Sequence, residues 1–152
     1  MEKKPYKKWS GRAISDADHA ACVRAIGPRY DALVAPITTE MGLAPRGRYH
    51  RSPDAPCVYV FRTDELAADH RGLVFHVQLS PDESLAEIVF REWEGTPPFG
   101  QQQWDALQPN TWEPSKRQWR GFRVFREFDL EQAKDLVTKC VSRFDEVYGD
   151  AI

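Results

Sequence analysis

The sequence predicts an α+β domain, in which an antiparallel sheet of about five strands carries an N-terminal and a C-terminal helix on one face. Three observations lead to this fold class. Apolar residues follow helical spacing near both ends of the chain, whereas short period-two runs fill the middle. The turns between the first four of those runs are too short for crossover helices, so these neighbouring strands must be antiparallel. We therefore interpret residues 1–152 as one domain, with 1–14 as a flexible basic N-terminus.

Two helices are predicted in the N-terminal part of the chain. The first spans residues 15–26, because Ser15 can cap its start and two aspartates follow in the first turn. The second spans residues 28–41 and is kinked or split by Pro36, whose ring removes a backbone donor. Gly42 then provides a C-terminal cap.

The middle of the chain predicts a meander of short strands. Turn residues separate the predicted strands, which span 46–50, 57–62, 73–79, 85–93 and 119–128. The third strand alternates between an apolar face and a more polar face that carries Val74, His76 and Gln78. The fourth strand alternates in the same way, with Glu87 and Arg91 on its polar face. The sheet is thus expected to have one covered face and one more polar face.

A long irregular segment and a closing helix complete the prediction. Residues 94–116 hold four of the 11 prolines and three large aromatic residues, and a loop of this length is more often functional than idle. A capping box of Asp129 and Gln132 begins the last helix, which carries a continuous apolar stripe to Val147.

Composition excludes several classes of protein. With 152 residues, 41% of them apolar and 29% charged, the chain can bury a substantial core. The net charge of −2 provides no general attraction to nucleic acid or to a membrane surface. The basic start leads into no apolar run, so we expect neither a signal peptide nor a membrane anchor. The three cysteines are widely spaced among apolar neighbours, which favours reduced thiols in a cytoplasmic protein.

The leading functional hypothesis is a protein-binding module without enzymatic activity, such as an inhibitor, an immunity-type antagonist or a chaperone. The segment 82–105 has a local net charge of −5, which suits a protein partner with a basic surface. Aromatic residues in the long loop would supply the buried anchors of that interface. The predicted partner-binding residues are Glu92, Glu94, Phe99, Trp104 and Trp112.

Two alternatives remain open. The first is a small ligand-binding domain or enzyme, in which the polar sheet face orients a polar ligand or supplies a general base. Its candidate residues are His76, Gln78, Glu87 and Arg91. The second is a nucleic-acid-binding module, because basic and aromatic residues interleave in the fifth strand. Its candidate residues are Arg120, Arg123 and Arg126.

Metal and cofactor chemistry finds little support in the sequence. Asp82 and Glu87 resemble the paired carboxylates of PD-(D/E)-x-K nucleases, but Val89 stands where that motif has its lysine. The chain lacks the common motifs for nucleotide binding, dinucleotide binding, serine hydrolysis and zinc proteolysis. We therefore predict no metal and no cofactor.

Overall fold

The structure is a computed structural model that describes residues 3–6, 8, 14–28, 30–49, 55–79, 86–109, 115, 117–124 and 127–149. The helices are α1 (Asp16–Ile26), α2 (Ala35–Thr38), α3 (Asp64–Ala68), α4 (Gln101–Asp105) and α5 (Glu127–Val147). The first four strands are β1 (Lys4–Pro5), β2 (Ala44–Tyr49), β3 (Pro56–Phe61) and β4 (Leu73–Leu79). The last four strands are β5 (Ala86–Arg91), β6 (Gln108–Pro109), β7 (Trp119–Val124) and β8 (Tyr148–Gly149).

The predicted α+β class is confirmed. Six strands form an antiparallel sheet in the order β2-β3-β4-β5-β7-β6, and β1 and β8 form a separate parallel pair. The short strand β6 arises within the segment that was predicted to be irregular. The predicted fifth strand is shorter than expected, because β7 ends at Val124 and α5 already begins at Glu127. The predicted capping box is therefore wrong, since position 129 lies inside the helix.

The N-terminal helices begin and end where local chemistry predicts. Ser15 caps α1 by accepting a hydrogen bond from the Asp18 backbone at 3.0 Å. The predicted second helix is broken into a π-helical turn, α2 and a 3₁₀ turn, and Pro36 lies in the first turn of α2. Gly42 ends this region in the left-handed conformation with φ of 64°, which a residue with a Cβ adopts only at a cost.

One face of the large sheet packs against α1, α2 and α5 to form the main core. The apolar stripe of α5 supplies residues from Ala133 to Phe144, as the sequence predicts. The sheet supplies the side chains of one strand face, including Val58, Val77 and Ile88, which oppose one another across β3, β4 and β5. None of the helices in the described part of the chain has the length and apolar character needed to cross a bilayer.

A β-bulge reverses the predicted orientation of one side chain. The sequence pattern places Val74 on the polar face with His76 and Gln78, but the pairing of β3 with β4 shifts between Val60 and Phe61. This shift leaves an extra residue in β4, so Val74 turns into the main core. His76 and Gln78 keep their predicted face.

Helix α1 is held against the edge strand β2 by a histidine. The Gly47 backbone N–H donates to His19 Nδ1 at 2.7 Å, so that nitrogen carries no proton. A Cβ at Gly47 would lie 2.9 Å from the Cys22 Cβ, so only glycine permits this close approach. Burial lowers the pKa of His19 below its ordinary value of 6.5, Arg46 lowers it further, and Asp16 opposes both.

We expect the stability of the protein to fall as the pH drops below about 6.5. His19 has a lowered pKa in the folded state, so the unfolded chain binds its proton first. The contribution of His19 to stability is therefore fully present above its pKa in the unfolded chain. It is lost as the pH falls through its lower pKa in the folded protein. Protonation also removes the acceptor for Gly47, a bond worth about 1 kcal/mol. Urea unfolding as a function of pH measures this loss.

The matched variant for this prediction is His19→Gln, whose amide oxygen can accept the Gly47 bond but does not titrate. Its stability should vary less between neutral and mildly acidic pH than that of the wild type. An identical pH dependence in both proteins would assign the effect to other groups.

Candidate functional site: the polar face of the sheet

The second face of the sheet carries polar side chains on adjacent strands. The antiparallel register places Gln78 of β4 opposite Glu87 of β5, and Glu87 opposite Arg123 of β7. His76 lies two residues before Gln78 and therefore on the same face. Arg91 lies on the corresponding face of β5. The four residues that the sequence nominates for a ligand site are thus brought together.

These side chains form one continuous chain of hydrogen bonds, which we call the polar chain. Arg91 Nη2 lies 3.3 Å from His76 Nδ1, and His76 Nε2 lies 3.1 Å from Gln78 Oε1. Gln78 Nε2 donates to Glu87 Oε1 at 3.0 Å, and Arg123 Nε donates to Glu87 Oε2 at 3.3 Å. Three of these residues are almost fully buried, with exposures of 3% for His76, 4% for Gln78 and 3% for Glu87.

Glu87 determines the direction of the hydrogen bonds. A carboxylate only accepts, so Gln78 must turn its amide nitrogen to Glu87 and its carbonyl oxygen to His76. His76 Nε2 therefore carries the ring proton, and Nδ1 accepts from Arg91. Because both ring nitrogens are engaged in the neutral form, this arrangement suits His76 to positioning Arg91 better than to proton transfer.

Gly121 makes room for the buried carboxylate. It lies on β7 between Trp119 and Arg123 and faces the same side of the sheet as Glu87. A Cβ at Gly121 would lie 2.5 Å from both the Cδ and the Oε2 of Glu87. Such a distance is far below ordinary contact, so the Glu87 side chain lies where it does because position 121 is a glycine.

Arg91 is held among aromatic rings at one end of the polar chain. Its guanidinium carbon lies 4.0 Å from the Trp119 ring centre and 5.7 Å from that of Tyr59. The His76 ring also contacts both aromatic residues, with centroid distances of 5.6 Å to Trp119 and 5.3 Å to Tyr59. Stacking on aromatic faces and a bond to His76 together restrict the guanidinium orientation. Arg91 and Trp119 are half-buried, so part of each residue is exposed to solvent.

Comparisons of this chain with protein-family models, curated proteins and solved structures find no match. The interpretation of the site therefore depends on its geometry.

A second cationic side chain lies near the same tyrosine. The Arg48 guanidinium carbon is 5.1 Å from the Tyr59 ring centre, and Arg48 is half-buried. Burial raises the pKa of the Tyr59 hydroxyl, and so does Cys57, whereas Arg91 and Arg48 act in the opposite direction. At neutral pH the tyrosine is thus a neutral hydroxyl group beside two guanidinium groups.

The other end of the polar chain borders an open cleft. This cleft has a volume of about 320 Å³, and its walls include Leu107, Gly121, Arg123 and Gln132. The Arg123 side chain is 33% exposed, whereas its partner Glu87 is 3% exposed. The buried carboxylate is thus neutralised by an arginine at the edge of the cleft.

The aromatic residues nominated as partner anchors lie elsewhere. Phe99 and Trp104 are in the main core, with exposures of 4% and 1%; the two rings contact each other, and Phe99 also contacts Phe90. Residues that a partner buries must be exposed in the free chain, so the predicted role as interface anchors does not fit these two positions. Helix α4 turns the Trp104 ring inward, where it fills space beside the sheet. Trp112 lies outside the described residues.

The acidic residues nominated beside those anchors are at the surface. Glu94 is half-exposed and forms an ion pair with Lys4 at 2.6 Å, and Glu92 is half-buried. An exposed pair of this kind contributes little to stability. The protein-partner hypothesis stays a prediction that rests on these two carboxylates and Trp112.

The arginines of the fifth strand face in opposite directions, as strand alternation predicts. Arg120 lies over the Trp104 ring at 5.0 Å and donates to the Trp104 carbonyl at 3.1 Å. Arg123 lies on the other face with Glu87. Arg126 lies outside the described residues. The nucleic-acid hypothesis therefore lacks a shared surface for its two described arginines.

Two observations bear on the metal alternative. Asp82 lies outside the described residues, and Glu87 is occupied by Gln78 and Arg123. Within the described ranges, no group of three His, Cys, Asp or Glu side chains could hold a metal ion.

Sequence reasoning missed four residues of this site, namely Arg48, Tyr59, Trp119 and Gly121. The sequence held a partial indication, because alternation along a strand places Trp119, Gly121 and Arg123 on one face of their strand. It likewise places Cys57 and Tyr59 on one face of theirs. Alternation alone does not show which strands are neighbours. The register of β3, β4, β5 and β7 was needed to place these residues together.

Proposed function

We propose that this protein is a small ligand-binding domain whose ligand contacts the Arg91 end of the polar chain. The observation that carries the proposal is the continuous hydrogen bonding from Arg91 through His76 and Gln78 to Glu87. This arrangement fixes a half-buried guanidinium against Trp119. A side chain held in one orientation before the ligand arrives loses little entropy on binding.

The cost of the polar chain supports a functional role. Buried polar and charged groups contribute less to stability than a well-packed apolar cluster of the same volume. The opposite face of the same sheet forms an apolar core. The fold can therefore cover its strands with apolar side chains. Polar groups that converge beside aromatic walls are typical of sites for small molecules.

We propose a cytoplasmic binding protein rather than an enzyme. His76 has both ring nitrogens engaged, which leaves it a positioning role. All three cysteines are buried thiols, and burial raises the pKa of each, which disfavours a reactive thiolate.

A chemically mixed fragment library, screened by saturation-transfer NMR, tests the proposal. We expect at least one class of fragment to bind the wild type and to bind His76→Phe about tenfold more weakly or worse. Phenylalanine keeps a ring between Tyr59 and Trp119 but removes the acceptor that orients Arg91. Tyr6→Phe is the control, because Tyr6 packs on Phe144 on the helix-covered side.

Three outcomes would contradict the proposal. No fragment binds at millimolar concentration, or the fragments bind wild type and His76→Phe equally, or they bind only in the cleft beside Arg123. Far-UV circular dichroism of each variant confirms that it is folded.

A further inference from the structure

We infer that Pro45, Arg46 and His19 close the free edge of strand β2 against pairing with a second copy of this chain, and that this closure keeps the protein monomeric. The edge of the sheet is distinct from its polar face, so the closure is independent of the proposed function.

Strand β2 lies at one end of the large sheet. Among the described strands its partner is β3, with which it pairs in antiparallel register along all of its six residues. An edge strand presents a row of backbone donors and acceptors with which another edge strand can pair. A second copy carries the same strand, so a twofold axis could join two sheets through β2. A protein that stays monomeric must therefore protect this edge.

The register shows which backbone groups of β2 point away from β3. The Gly47 N–H donates to His19 on α1 rather than to β3, so Gly47 and Val58 form a non-hydrogen-bonded pair of the ladder. Pairs of this kind alternate with hydrogen-bonded pairs along antiparallel strands, so the backbone groups of Pro45 also point outward. Pro45 and Gly47 thus form the middle of the outward edge.

Three of the four backbone positions at Pro45 and Gly47 are closed. Pro45 has no N–H to donate. Its carbonyl oxygen accepts a hydrogen bond from Arg46 Nη1 at 2.9 Å, while Arg46 Nη2 donates to Asp64 Oδ1 at 2.8 Å. The Gly47 N–H donates to His19 Nδ1 at 2.7 Å. A strand that approaches this edge therefore finds no available backbone donor at Pro45 or Gly47.

Helix α1 adds a steric barrier beside these groups. A Cβ at Gly47 would lie 2.9 Å from Cys22 Cβ and 3.2 Å from the His19 carbonyl oxygen, so the helix lies directly against the strand. A strand that pairs with β2 would have to displace the His19 side chain from the Gly47 N–H. Natural sheets protect their edges with proline, with charged side chains and with covering helices, and β2 combines all three.

Variants that open the edge test this inference. Pro45→Val restores a backbone donor, His19→Ala frees the Gly47 N–H, and a double variant combines the two changes. Each restored donor is used twice in a twofold dimer. We therefore expect the double variant to dimerise with a dissociation constant about tenfold or more below that of the wild type. Sedimentation velocity from about 10 μM to about 1 mM measures the association, and the wild type should stay monomeric over this range.

Two variants of α1 are matched controls. His19→Gln keeps an acceptor for the Gly47 N–H, so it should stay monomeric although the histidine is gone. Ser15→Ala removes the cap of the same helix, including the bond from the Asp18 backbone, but leaves the edge closed. It should lose stability without dimerising.

Pro45→Val alone covers the case in which the double variant does not fold, because this single change retains the His19 and Arg46 hydrogen bonds. It should dimerise more weakly than the double variant and more tightly than the wild type.

Hydrogen exchange of the Gly47 amide locates the interface. In the double variant this amide should exchange rapidly in the dilute monomer and slowly in the dimer, where the second copy supplies its acceptor. Folded edge-opened variants that stay monomeric at about 1 mM would overturn the inference. So would equal association of Ser15→Ala, a dimer in which the Gly47 amide exchanges freely, or a wild type that already pairs through β2.

Discussion

Trp104→Ala is expected to lower the free energy of unfolding by about 3–5 kcal/mol. The Trp104 side chain is 1% exposed and meets Phe99 at a centroid distance of 6.2 Å. Truncation removes a large apolar surface and leaves a cavity that short helix α4 and the sheet cannot close. The Arg120 guanidinium over the ring also loses its aromatic contact. Urea unfolding followed by circular dichroism measures the change.

Trp119→Ala is the matched control for this prediction, because Trp119 is half-buried rather than enclosed. It should lose clearly less stability than Trp104→Ala. A Trp104→Ala variant within about 1 kcal/mol of the wild type would contradict a core role, since surface substitutions usually fall in that range. Such a result would return Trp104 to consideration as a partner anchor.

The second large effect is expected at Gly121. Gly121→Ala should destabilise the protein by about 1–3 kcal/mol, because the new methyl group overlaps the Glu87 carboxyl group. Displacement of that carboxyl group also weakens its bonds to Gln78 and Arg123. Glu87→Ala should cost a similar amount, about 1–3 kcal/mol, because the buried Gln78 amide loses its acceptor.

A double-mutant cycle isolates the contact between the two positions. In the Glu87→Ala background the methyl group at position 121 has room, so the double variant should be about as stable as Glu87→Ala alone. The coupling energy is then about 1–3 kcal/mol. Gly100→Ala is the control, because a Cβ there meets only the flexible Gln103 side chain, at 3.4 Å. Strictly additive effects would show that Glu87 does not occupy the space above Gly121.

The cycle also bears on function. If Glu87 supports the orientation of Arg91 through Gln78 and His76, ligand affinity at the Arg91 end should fall in Gly121→Ala although position 121 is distant in the chain from Arg91. A loss of stability with unchanged fragment affinity would make the Glu87 end of the polar chain purely structural.

Local patterns were sufficient for much of the fold. The start of α1 at Ser15, the break at Pro36 and the cap at Gly42 each depend on one residue and its neighbours. The apolar stripe of α5 and the alternation of β5 depend on spacing alone. These features could be predicted because their physical causes lie within a few residues of each other in the chain.

The polar face could be predicted only in part. Strand alternation in β4 and β5 placed His76, Gln78, Glu87 and Arg91 on one face, and the pairing of these strands brings them into contact. Their hydrogen-bond order, the room provided by Gly121 and the approach of Arg48 depend on strand register. Register is determined by the packing of whole strands, which no short stretch of sequence specifies.

The sequence was thus enough to establish the class of the fold, the two ends of α1 and the chemical character of the second sheet face. Folding in three dimensions determined which polar groups contact one another, and it placed Phe99 and Trp104 in the core. The β-bulge that turns Val74 inward was also determined by the tertiary structure. Each of these outcomes depends on contacts between residues far apart in the chain, where the shape of the remaining space selects the side chain that fills it.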